Sequence, residues 1–151
     1  MVADTKEKGK MRQSVYQKAI EEYNNAIEHR FFLEAIAIAE SLISDRMESY
    51  ANYKSEKDYS FQTLGKLCDA LRNDPVLKSI VADIDAWRVK RNAALHQMAK
   101  IGESSTKDYS SKKKEAEATA KDAYKLFREL DNAIRKDRRN NSKSNNKPQN
   151  N

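Results

Sequence analysis

Apolar residues return at three- and four-residue steps along most of this chain, the spacing of helices that bury one face. Val15, Tyr16, Ala19, Ile20, Tyr23, Ala26 and Ile27 mark a first helix from about Lys10 to His29. A second, from about Arg30 to Lys54, turns Phe32, Ala35, Ile36, Ala39, Leu42, Ile43, Met47 and Tyr50 inward, and its alanines suit close packing on a neighbour. A polar break at 55–60 precedes a short helix presenting Phe61, Leu64, Leu67, Cys68 and Leu71. A fifth helix, from about Ser110 to Lys136, carries Ala116, Ala120, Ala123, Tyr124, Phe127, Leu130 and Ile134.

Between these lies the best-marked helix of the chain, Asp74 to Ile101. Asp74 is suited to cap its N-terminus, Pro75 occupies the position where a missing N–H costs nothing, and Gly102 suits the far end. Leu77, Ile80, Ile84, Trp87, Ala94, Met98 and Ile101 form its stripe, and Arg91 falls in line with them. A guanidinium on a buried stripe costs desolvation unless it is paired. A second face carries Ala82, Ala86, Val89 and Ala93 with His96 at its edge, so two faces call for cover, either within the bundle or from a second chain.

With three glycines and two prolines in 151 residues there is little turn chemistry for a β-rich fold. The expectation is an all-α, antiparallel four- to five-helix bundle over residues 11–137, with disordered polar ends at 1–10 and 138–151. No apolar run approaches the roughly 20 residues that span a bilayer, and no apolar leader opens the chain, so a cytoplasmic protein is expected. A lone Cys68 excludes an internal disulfide and a cysteine-based zinc cluster.

The net charge of +6 changes the picture only once it is located. Six Lys or Arg and one Asp lie from Arg135 to the C-terminus, giving 6 − 1 = +5 there and 6 − 5 = +1 elsewhere. A polyanion partner would then be held by a basic tail or a local cleft, not by a broad basic surface.

Arg91, Asn92 and His96 read Arg-Asn-x-x-x-His on the best helix, and this stretch resembles the HEPN family, helical bundles with an Arg, four to six residues, His motif on a late helix. The resemblance covers roughly Val15 to Ile134, with strict motif matches only at those three positions. It implies a metal-independent endoribonuclease whose site forms where two motifs meet across a homodimer, with RNA as substrate and no cofactor. It also implies a place as toxin or effector of a bacterial or phage defence system, with a cognate antitoxin or activator. Some members carry a Tyr two residues after the motif His as a modification site; Met98 stands there in this chain.

The residue chemistry suits that role. His96 can move protons near neutral pH, Arg91 can grip phosphate oxygens, and Asn92 can position His96 or the ribose. Glu40 and Glu48 on the second helix are candidates for orienting Arg91 or His96. The plainer alternative is that Arg91 snorkels or pairs with an acid of the second helix, in a non-catalytic module binding RNA, a nucleotide or a protein. His29 is expected at the end of a helix dipole or in water, and neither histidine has a carboxylate at a metal-ligand spacing.

Overall fold

In the computed structural model, which describes residues 2–100 and 107–145, the chain folds as five helices: α1 (Val2–Glu28), α2 (Phe32–Lys54), α3 (Leu64–Leu71), α4 (Lys78–Gln97) and α5 (Tyr109–Asn145). The α2 stripe is the centre of the core. Ala35, Ile36, Ala39, Ile43, Met47 and Tyr50 have no accessible surface, because α2 packs on each of the other four helices. Its alanines let neighbouring backbones approach, and each large aliphatic side chain so buried contributes about 1.5–3 kcal/mol.

Cross-helix contacts fix the directions. Arg12 and Tyr16 of α1 reach Asp45 of α2, Tyr50 of α2 reaches Asp74 ahead of α4, and Arg91 of α4 reaches Glu40 of α2, so α2 runs antiparallel to α1 and α4. Tyr23 donates to the Ala120 carbonyl at 2.7 Å and stacks on Tyr124, while Tyr16 meets Phe127 edge-on. The first helix therefore also runs antiparallel to α5. Arg46 pairs with Asp131, and Tyr50 with Asp137, so α2 and α5 are the parallel pair in contact. On the far side of α5, Trp87 of α4 donates to the Thr119 carbonyl at 2.9 Å. The result is an up-down-up-down bundle with the short α3 wedged against α2 and α4.

The expected helices are all present, with two core positions misplaced. Val15 is 58% exposed and Phe61 fully exposed. Val15 lies on the outer edge of the α1 stripe, where Tyr16, Ala19 and Tyr23 already meet α2 and α5. Phe61 precedes α3 at φ 61°, in a loop tied to α2 by the Asn52 side chain and the Glu48 carboxylate, which accept the Tyr59 and Phe61 N–H groups. The α3 helix proper starts after Thr63, whose hydroxyl accepts the Lys66 N–H.

Both outer helices run past the limits their apolar stripes suggest, α1 back to Val2 and α5 on to Asn145. Their polar extensions lie beside one another, because α1 and α5 are antiparallel. Residues 146–151, the remainder of the expected tail, and Ile101 with Gly102 lie outside the described residues.

Candidate functional site

The motif helix is started as its sequence suggests. Asp74 Oδ1 accepts the Val76 and Leu77 N–H groups at 2.9 and 3.0 Å, closing a first turn before α4 proper at Lys78. Leu77, Ile80, Ile84 and Trp87 then go inward in register. Arg91, one turn beyond Trp87, goes inward with them: its side chain is only 15% exposed.

What receives it is Glu40. Arg91 Nη2 stands 2.8 Å from Glu40 Oε1, the acid one turn before Ser44 on α2. Burial pushes the Glu40 carboxyl above its ordinary 4.5, and the Arg91 charge opposes that push without cancelling it. The guanidinium is only partly satisfied, for Arg91 Nε is shut off from solvent with no hydrogen-bond partner. A buried, incompletely paired guanidinium is costly to maintain for packing alone.

Asn92 is half-buried and His96 is exposed in the last turn of α4. Among the described residues no hydrogen bond engages either side chain, so both are available to a ligand. The second face of α4 is open as well. Ala82, Ala86, Val89 and Ala93 are exposed, Val89 by 64%, so the bundle does not supply the cover that this face calls for. The face ends beside His96.

The two supporting acids separate in the structure. Glu40 is at Arg91, whereas Glu48, eight residues and so roughly 12 Å further along α2, spends its carboxylate on the Phe61 N–H. The two read as equal candidates in the sequence, although Glu40, four residues after Ile36 and three before Ile43, stands at the margin of the α2 stripe and Glu48 lies further round the helix. His29 is remote from the motif in role: its Nδ1 bonds the Asn25 carbonyl at 2.9 Å, and its ring stacks on Phe31. Cys68 is fully buried in α3, and burial pushes its thiol up to about 11, which leaves it a small hydrophobe at neutral pH. Among the described residues no three His, Cys, Asp or Glu side chains are grouped as a metal site, and no helix is long and apolar enough to cross a membrane.

Arg135, Arg138 and Arg139 belong to α5 and line a cleft with Arg12 and Arg46, which the charge excess near the C-terminus hinted at without locating. Comparison of the chain with family models, curated proteins and solved structures gives no match.

Proposed function

We propose that this chain is a metal-independent endoribonuclease of HEPN type that acts as a homodimer. The observation that carries the proposal is Arg91: a guanidinium drawn into the bundle, held by Glu40 through one nitrogen, and followed five residues later by an exposed, unengaged histidine. Two copies joined along Ala82, Ala86, Val89 and Ala93 would cover the open face of α4 and bring both copies of His96 together, and Arg91, which leaves the opposite side of the helix toward Glu40, would reach the same cleft by swinging its long stem around α4.

The chemistry is transesterification followed by release. The ribose 2′-oxygen attacks the adjacent phosphorus, the bond to the 5′-oxygen breaks, and the products are a 2′,3′-cyclic phosphate and a 5′-hydroxyl end. His96 takes the 2′ proton or supplies the proton to the leaving 5′-oxygen, and the two copies of His96 divide those tasks. Arg91 neutralises the pentacovalent phosphorane, with Glu40 fixing its orientation. The work as toxin or effector of a defence system, under an antitoxin or activator, follows from the family resemblance at these three positions. Incubating purified protein with RNA in EDTA, beside His96→Ala protein, tests the reading: cleavage by the wild type alone supports it.

One observation favours a second reading. The Glu40 pair gives Arg91 a structural partner within its own chain, as an ion pair in a non-catalytic helical module would. Such a module would bind RNA, a nucleotide or a protein through the same face without cutting, and its binding would be indifferent to His96→Ala.

A further inference from the structure

Where the start of α1 crosses the end of α5, five arginines converge. Arg12 of α1, Arg46 of α2 and Arg135, Arg138 and Arg139 of α5 line a cleft of about 410 Å³, with Tyr16 as the one aromatic ring in its wall and no aliphatic side chain. No residue of α4 takes part, so the cleft is separate from the Arg91 motif.

The charges do not balance. Asp45 accepts from Arg12 and Tyr16, and Asp131 pairs with both Arg46, at 2.7 Å, and Arg135, at 2.8 Å. Asp137, the next carboxylate along α5, is taken by Lys54 and Tyr50. Two carboxylates thus face five guanidinium groups, 5 − 2 = +3, and Arg138 and Arg139 have no acidic partner among the described residues.

Two members are built in and are not draped over the surface. Arg46 is 7% exposed, and Asp131 engages only its Nε, leaving the terminal nitrogens for the cleft it lines. Arg138 is half-buried, its guanidinium carbon lies 5.0 Å from the Tyr53 ring centroid, and one Nη donates to Ser49. Its Nε is closed to solvent and has no partner. Burial, and the nearby Arg46 and Arg12 charges, depress the Arg138 pKa, the signature of a cation short of an anion. Ordinary packing gives no reason to hold like charges together in this way.

We infer that this cleft binds a linear polyphosphate group, of the kind carried by a nucleoside triphosphate or by the 5′-triphosphate end of an RNA chain. Guanidinium forks match phosphoryl oxygens in pairs, and several of them in a concave wall suit adjacent phosphates better than one isolated anion. Tyr16 is the only aromatic ring in the wall and no aliphatic side chain joins it, so recognition falls on the phosphates while the rest of the ligand lies outside. The inference stands independently of the ribonuclease reading, since none of its residues belongs to the motif.

Isothermal titration of the full chain with inorganic tripolyphosphate, at constant ionic strength, tests it. Saturable one-to-one binding is expected, with sulfate at the same ionic strength failing to compete. Arg138→Gln and the exposed Arg139→Gln should each weaken binding at least about 10-fold, while Lys78→Gln at the start of α4 leaves it unchanged. Arg139 is at the surface and its replacement keeps the fold, so that variant remains decisive if Arg138→Gln unfolds. Competition by ATP assigns the free nucleotide as source, and competition by 5′-triphosphate but not 5′-hydroxyl RNA assigns the chain end. Absence of saturable binding, or equal weakening by all three substitutions, overturns the inference.

Discussion

Arg91 of α4 and Glu40 of α2 meet at 2.8 Å across the bundle, and this contact joins the helix with the candidate chemistry to the helix at the centre of the core. It explains how an arginine is accommodated on an otherwise apolar stripe: the stem lies along the helix interface and the charged end meets an acid at its margin. It also leaves Nε unused, so the pairing accounts for part of the guanidinium and not all of it.

Removing the acid tests the contact. Glu40→Gln keeps the shape and an acceptor oxygen for Arg91 but removes a carboxylate charge that burial disfavours, so at neutral pH its stability should match or exceed that of the wild type. The pH dependence has a definite sign. The Glu40 carboxyl titrates above its ordinary 4.5 in the folded chain, so the folded state binds more protons than the unfolded one as pH rises from there. The Glu40 contribution to stability therefore declines through that interval, and urea unfolding of wild type should lose stability relative to Glu40→Gln as pH increases from about 4.5.

Trp87 offers a sensitive check on the α4 and α5 contact. It is the chain's one tryptophan, 3% exposed, with its indole N–H on the Thr119 carbonyl. Trp87→Phe should cost about 1–3 kcal/mol by removing that cross-helix hydrogen bond and leaving space. Native emission should be blue-shifted and should move red in a single urea transition coincident with circular dichroism.

The core of α3 can be probed through its thiol. With Cys68 inaccessible and its pKa pushed up to about 11 by burial, reaction with a chromogenic disulfide at pH 8 should be slower by at least about 100-fold in the native chain than in denaturant. Prompt native labelling would show that α3 opens readily from α2 and α4.

How much of this was legible beforehand differs by element. The α2 stripe was read almost residue for residue, because α2 buries one broad, continuous apolar face against its neighbours and leaves Leu33, Glu34, Ala37 and Ser41 exposed. The ends of α1 and α5 were not, since Gly9, Arg12, Arg138 and Arg139 carry no apolar periodicity and gain their surroundings only from the antiparallel register of two helices more than 100 residues apart. Glu40 and Glu48 looked equivalent on paper; which of them meets Arg91 is set by the crossing of α2 and α4. The open α4 face was visible as small residues, but only the folded chain leaves it uncovered.

That face gives the prediction on assembly. Val89 is exposed and touches no part of the core, so Val89→Glu should leave the Tm of the isolated fold within about 1 kcal/mol of wild type in stability terms. In sedimentation velocity the wild type should run as a dimer and Val89→Glu as a monomer. A wild-type monomer at high micromolar concentration would remove the composite site.

The most direct measurement of the central claim compares wild type, His96→Ala and Arg91→Ala on the same RNA, in EDTA, with the 3′ ends of the products analysed. The proposal predicts cleavage by wild type that is indifferent to EDTA and ends in 2′,3′-cyclic phosphate, with a loss of at least about 100-fold in either variant while His96→Ala keeps its fold and dimer. Equal cleavage by His96→Ala protein would contradict it, and RNA bound but left intact by all three would return Arg91 and Glu40 to the role of an ion pair in a binding module.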